Sequence, residues 1–337
     1  MKFWDREKEL ADLKRYLQTE PNAILFVYGP KSSGKSTLLA KVAEDMGESY
    51  RFYWYDLRGK VISNYGDVLE VFFKERGWSK RFLEGLSKVL KFNVHVFELD
   101  VEELEKVLKK EYDAFEVMER ELVGEAKRGR VPVIVFDEIQ KLRDVYINGQ
   151  RLLVSELFNF FVRITKVLHL AHVLVMTSDT FFIEEVYSSS ALKNTSRYYL
   201  VDYFDDETAL RILLDEGLPE EEARYVISRI GGVPWMMEEV VESEDPRATV
   251  EELYRDHRAR LREFLGRVFE EGGKELQEKV KEVLKKMLEG EVVEIEGEDR
   301  KVVKKLVEAE LLFYDPLEGS VRFQTKLDEK AARDLLT

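Results

Sequence analysis

Apolar residues recur along this chain at two spacings. Between residues 5 and 18, Leu10, Leu13 and Leu17 stand three or four apart among charges, the period of an amphipathic helix. Pro21-Asn22 breaks that pattern, and Ala23 to Tyr28 follows as an unbroken apolar run of strand length. Lys35 to Glu44 returns to helical spacing through Leu38, Leu39 and Val42. Further strand-length runs are Tyr50 to Leu57, Val131 to Phe136, His172 to Thr177 and Tyr198 to Val201. Between the second and third strands, residues 66–128 read as an insertion. It carries helical patterns over Tyr65 to Gly77, Lys80 to Leu90 and Val101 to Lys127 around an extra strand at Phe92 to Leu99. One more helix is expected over Leu152 to Val167. Strands that are apolar throughout and alternate with helices imply an α/β domain over residues 1–204, its parallel sheet covered on both faces.

Beyond Asp205 the strand signal fades. Asp206 to Glu216, Pro219 to Ile230, Trp235 to Glu242 and Val250 to Glu270 are all helical in pattern, so residues 205–270 are expected to form a helical lid domain. Glu270-Glu271-Gly272-Gly273 reads as a linker. The remainder, 274–337, reads as helix, turn, helix and a β-ribbon made of Leu311 to Tyr314 and Ser320 to Thr325, an order that fits a winged helix.

The segment between the first strand and the following helix, Gly29-Pro30-Lys31-Ser32-Ser33-Gly34-Lys35-Ser36, has the spacing G-x-x-x-x-G-K-[S/T]. Its glycines let successive main-chain N–H groups curl around phosphate oxygens, and the helix that starts there, through Thr37, adds its positive dipole end. Lys35 is then placed for the β- and γ-phosphates, and the Ser36 hydroxyl for a Mg²⁺ ion that bridges them. A phosphate loop of this kind needs an acid at the end of a neighbouring strand, and Val133-Ile134-Val135-Phe136-Asp137-Glu138 supplies two. Asp137 would complete the metal shell, and Glu138 would orient and polarise the attacking water. That second acid favours hydrolysis over phosphoryl transfer to a small molecule. No Asn-Lys-x-Asp segment is present to read guanine, so ATP is the expected nucleotide. Thr177-Ser178-Asp179 closes the fourth strand, where the Thr177 hydroxyl could meet the γ-phosphate, and Arg197 precedes the fifth, where it could act in this or a neighbouring subunit.

Composition narrows the alternatives. The 337 residues contain no cysteine, which excludes disulfides, thiolate metal sites and a cysteine nucleophile. Of the four histidines, His169 and His172 are close in sequence but sit in an apolar run and read as packing residues. No apolar stretch is long enough to span a bilayer, and the charged start of the chain lacks a signal region, so a cytoplasmic setting is expected. A net charge of -14 argues against a surface that binds nucleic acid everywhere.

The arrangement resembles the archaeal P-loop ATPases of the STAND group within the AAA+ class. The resemblance rests on Phe3-Trp4-Asp5-Arg6-Glu7-x-Glu9-Leu10, the phosphate loop, Phe136-Asp137-Glu138-Ile139-Gln140, the arginine before the fifth strand, Gly231-Gly232-Val233-Pro234 and the C-terminal winged helix. It implies that Asp5-Arg6-Glu7 lies near the adenine and that Pro234 packs on the base. It also implies that Thr177-Ser178 is a polar sensor, and that nucleotide state switches the chain toward a partner protein or another copy of itself. A DNA-associated ATPase is the alternative, because Arg300, Lys301, Lys304 and Lys305 fall on one face of a helix placed as a recognition helix would be. Residues 275–337, however, carry 12 Lys plus Arg against 16 Asp plus Glu. In the insertion, Phe72, Phe73, Trp78 and Phe82 offer either a partner surface or core.

Overall fold

A computed structural model describes residues 3–76, 95–147, 149, 151–188, 192–291, 293, 295 and 297–336. The chain divides into two compact units. One contains Arg6–Tyr28 and Lys35–Leu200, the other Met1–Asp5, Gly29–Gly34 and Val201–Thr337.

The first unit is the α/β domain. Its elements are α1 (Glu7–Leu17), β1 (Ile24–Tyr28), α2 (Lys35–Met46), β2 (Tyr50–Asp56), α3 (Tyr65–Phe72), β3 (Phe73–Glu75), β4 (Phe97–Leu99), α4 (Val101–Leu108), α5 (Ala114–Lys127) and β5 (Val131–Asp137). After these come β6 (Tyr146–Ile147), β7 (Arg151–Leu152), α6 (Leu153–Val162), β8 (His172–Thr177), α7 (Thr180–Ser188) and β9 (Ser196–Leu200). Five of the strands form one parallel sheet in the order β2-β5-β8-β1-β9. Its central strands are buried along their whole length, which is why they read as continuous apolar runs. With β8 inserted between β5 and β1, the ends of three neighbouring strands, Asp137, Thr177 and Tyr28, open on one edge of the sheet.

The insertion differs in detail from its expected pattern. The helix at Tyr65 stops at Phe72, and the chain turns into β3, which pairs in parallel with β4. Phe72 and Phe73 are core residues, 2% and 1% exposed. Phe72 packs on Tyr55 and Phe136 at ring separations of 5.1 and 5.4 Å, and Phe73 on Phe97 at 5.9 Å. Burial of this kind contributes about 1.5–3 kcal/mol per side chain, which outweighs exposure to a partner. Val101 to Lys127 is two helices, because Asp113 caps α5 by accepting from Phe115 N at 2.7 Å and so begins a new one. The expected helix at Lys80 to Leu90, with Trp78 and Phe82, lies outside the described residues. His169 and His172 are not a ligand pair: His169 Nδ1 meets the Pro21 carbonyl oxygen at 2.6 Å, and His172 is wholly buried at the start of β8.

The second unit holds α8 (Asp206–Asp215), α9 (Glu220–Ile230), α10 (Pro234–Val241), α11 (Pro246–Leu288), α12 (Gly297–Glu308), β10 (Leu312–Asp315), β11 (Ser320–Phe323) and α13 (Lys326–Leu336). The residues expected as a linker, Glu270 to Gly273, are helical up to Gly273, which at φ 66° and ψ -164° leaves helical geometry, so two helices meet there within α11. The break falls at a residue without a Cβ, where a left-handed φ carries no steric penalty. The β10-β11 hairpin matches the expected ribbon, and α13, which packs on α11, was not anticipated.

Candidate active site

In the α/β unit, α2 begins at Lys35, and β5 ends at Asp137 with Glu138 directly after it. The fold brings these termini together: Ser36 Oγ donates to Asp137 Oδ2 at 2.8 Å. Asp137 is 2% exposed. Burial pushes its carboxyl up to about 6, against the opposing pull of the Arg58 guanidinium and the Ser36 hydroxyl. Lys35 is likewise buried, and burial brings its ammonium down to about 8 although Glu138 and Asp137 both favour its charge. Arg58 and Arg6 oppose that charge, which places both arginines within electrostatic reach of Lys35. Arg6 is 6% exposed and its Nη1 donates to Glu9 Oε1 at 2.8 Å.

Glu138 has a left-handed backbone, φ 65°, and its N–H donates to the Met176 carbonyl oxygen on β8 at 3.0 Å. A non-glycine residue in that region is a recurrent feature of functional sites. Its carboxylate accepts from Gln140 Nε2 and, at 3.4 Å, from Ser178 Oγ. Gln140 Oε1 in turn accepts from Thr177 Oγ1 at 2.9 Å, and Thr177 Oγ1 accepts from Asp179 N at 2.9 Å. Thr177 is thus engaged with Gln140 at the sheet edge, in a chain that ends on the Glu138 carboxylate.

The loop that joins β1 to α2 clusters with the second unit. Gly29 has φ 151°, and a Cβ there would lie 2.2 Å from the Val201 carbonyl oxygen, so glycine is required. Ser32 and Gly34 also have positive φ, 57° and 93°, and Ser33 N donates to the Pro30 carbonyl oxygen at 3.3 Å. Lys31 is exposed and pairs with Glu310, and its carbonyl oxygen accepts from Tyr203 Oη at 2.9 Å. Thr37 is partly exposed on the first turn of α2. Pro234 opens α10, partly exposed, two residues after Gly232, which is pressed against Phe204.

Arg197 does not join the cluster. The register of β9 sets it opposite Leu25. That is about 10 Å back along β1 from Tyr28, at roughly 3.3 Å per residue. It is exposed, and its charge is felt by Tyr16 on α1. Arg58 and Asp56, which no motif in the sequence singles out, do join the cluster. Arg58 Nη2 lies 2.9 Å from Asp137 Oδ2 while its side chain is bonded to Asp56. The only signal that could have found them is the polar end of the second strand, Asp56-Leu57-Arg58, once that strand is known to pair with β5.

Ser36 Oγ and Asp137 Oδ2 offer adjacent oxygens to a divalent ion. Mg²⁺ commonly takes one or two protein oxygens with waters and substrate phosphates, so this donor pair fits Mg²⁺ bound together with a nucleotide. Among the described residues no group of three or more His, Cys, Asp or Glu forms a cage that would hold a metal alone. Among them, too, no helix is long and apolar enough to cross a membrane.

A family described as an ATPase domain predominantly from Archaea matches residues 3–240, and the C-terminal domain of MJ1010-like ATP-binding proteins matches residues 247–336. The ATP-binding protein MJ1006 of Methanocaldococcus jannaschii is 41% identical over 261 residues, which cover 75% of this chain and 70% of that protein. MJ0439 of the same organism is 32% identical over 352 residues, covering 100% of this chain and 97% of its own. Among solved structures, the Walker-type ATPase paby2304 of Pyrococcus abyssi has a TM-score of 0.69 at 16% identity, covering 98% of this chain and 96% of that one, a likeness of fold. The chain belongs to the family of ATPase domains found predominantly in Archaea.

Proposed function

We propose that this chain binds ATP with Mg²⁺ and hydrolyses it at Lys35, Ser36, Asp137 and Glu138, and that turnover switches its conformation toward a partner, as in a STAND-type ATPase. The observation that carries the reading is the 2.8 Å bond from Ser36 Oγ to Asp137 Oδ2, which joins the start of α2 to the end of β5 across 101 residues of sequence. In this reading the main chain of Gly29 to Thr37 wraps the phosphates, and Lys35 neutralises the β–γ end. Ser36 and Asp137 hold Mg²⁺, which would supply charge stabilisation on the β- and γ-oxygens. Glu138, held by Gln140 and Ser178, aligns a water and takes its proton as the water oxygen bonds to the γ-phosphorus. The bond from the γ-phosphorus to the bridging oxygen breaks, and ADP leaves with the electron pair. Arg6, within reach of Lys35, is assigned to the adenine side.

Phosphate release and calorimetric ATP binding test this assignment together. Glu138→Gln is expected to retain nucleotide affinity and lose about 10²-fold or more in turnover, and Lys35→Ala to lose tight binding. Hydrolysis at the wild-type rate by the Glu138→Gln protein would remove Glu138 from its role.

A second reading, a DNA-associated ATPase, rests on Arg300, Lys301, Lys304 and Lys305 along α12, in a helix and hairpin arrangement of winged-helix order. Acidic neighbours temper it: Lys305 Nζ lies 2.7 Å from Glu271, and Lys304 Nζ 4.0 Å from Glu308.

A further inference from the structure

The parallel register sets Asp56, at the end of β2, directly beside Asp137, at the end of β5. Adjacent strands lie about 4.8 Å apart, so two carboxylates meet at the sheet edge and need a cation between them. Arg58 supplies it. Its Nε donates to Asp56 Oδ1 at 3.0 Å and its Nη2 to Asp56 Oδ2 at 2.9 Å, and the same Nη2 reaches Asp137 Oδ2 at 2.9 Å. The loop that carries it is anchored at both residues, with Leu57 N donating to the Asp137 carbonyl oxygen at 3.1 Å and Arg58 N to Asp56 Oδ1 at 2.9 Å.

The atom Arg58 holds is the one that also accepts from Ser36. A guanidinium therefore sits on the oxygen that would face a divalent ion, and unlike a lysine it cannot escape the conflict by losing its proton. A metal ion placed on Asp137 Oδ2 would stand a few ångströms from a fixed positive charge. The side chain is 53% exposed, so it can swing off Asp137 while still bonded to Asp56, uncovering little buried surface.

We propose that Arg58 is a positioning residue that holds Asp137 in the nucleotide-free protein and keeps a divalent ion off it, so that metal enters only with the negative charge of a triphosphate. This inference rests on the reading of Ser36 and Asp137 as metal ligands. Two charges on Arg58 and the ion repel, and the triphosphate removes the imbalance because its oxygens are further ligands for the ion and acceptors for the displaced guanidinium.

The test is Mn²⁺ binding to the full chain without nucleotide, followed by electron paramagnetic resonance at pH 8, where Asp137 is ionised. Arg58→Ala is expected to bind Mn²⁺ at least about ten-fold more tightly than wild type, equivalent to about 1.4 kcal/mol. Arg58→Lys should fall between them, since an ammonium keeps the charge but cannot fork across both carboxylates. A merely structural role for Arg58 predicts the opposite sign, a loosened site with weaker metal binding. Asp137→Ala made in the Arg58→Ala protein should abolish the gain. If Arg58→Ala does not raise Mn²⁺ affinity, this inference fails, and the metal-ligand reading stands if Asp137→Ala still weakens binding of the Mn²⁺–ATP complex. If Arg58→Ala raises Mn²⁺ affinity and the added Asp137→Ala leaves that gain unchanged, the metal-ligand reading fails and this inference with it.

Discussion

Binding of ATP is expected to draw a proton from solution at pH 8, because Lys35 is about half neutral in the free protein. Burial brings its ammonium down to about 8 from the ordinary lysine value of 10.5. The neutral fraction is then about one tenth at pH 7, one half at pH 8 and nine tenths at pH 9. A triphosphate beside the ammonium favours the charged form, so binding restores the missing proton and uptake should follow those fractions. Isothermal titration in two buffers of different ionisation enthalpy measures it directly. The apparent binding enthalpies should diverge little at pH 7 and progressively more at pH 8 and 9. The nucleotide cannot mimic this, since a terminal phosphate that loses its proton on binding contributes with the opposite sign. Lys35→Arg keeps the charge, cannot titrate in this range and should show no proton uptake. Equal enthalpies in both buffers at pH 8 for the wild type, or the same uptake in Lys35→Arg, would refute the reasoning. The same shift affects stability. Between about pH 8 and 10.5 the unfolded lysine binds more protons than the folded one, so this group's contribution to stability rises with pH across that window and is lost as pH falls through it.

Three further outcomes follow from the geometry. Gln140→Ala should lower turnover by about ten-fold with nucleotide affinity unchanged, because it frees the Glu138 carboxylate and Thr177 without touching the phosphate loop; phosphate release paired with calorimetry reads this. Gly232→Ala should destabilise the protein by about 1–3 kcal/mol in urea unfolding, since the new Cβ would lie 2.1 Å from the Phe204 carbonyl oxygen, which is main chain and cannot rotate away. For the DNA reading, Lys301→Glu with Lys304→Glu should weaken duplex binding and flatten its salt dependence in fluorescence anisotropy; an unchanged affinity and slope would remove α12 as the contact.

The glycine-rich candidate phosphate loop and the acids after the third sheet strand can be picked out from the sequence because each is a local device. Eight consecutive residues supply the amides, the ammonium and the hydroxyl, and the apolar run before Asp137 announces a buried strand that must end in something polar. The helical second half was legible for the same reason, since a 3.6-residue period needs no partner to be seen. Tertiary structure decided what depends on pairing between distant segments. Parallel register made neighbours of Asp56 and Asp137 and so gave Arg58 its place, and it also set Arg197 back along β9, away from the site. Burial turned Phe72 and Phe73 into core, because Phe72 packs on Tyr55 and Phe136 of the sheet and Phe73 on Phe97 within the insertion, contacts that no local pattern encodes. Spacing along one segment fixes which groups a strand end or helix start can present. Which groups on other segments meet them is set by strand order and register, which are properties of the whole sheet.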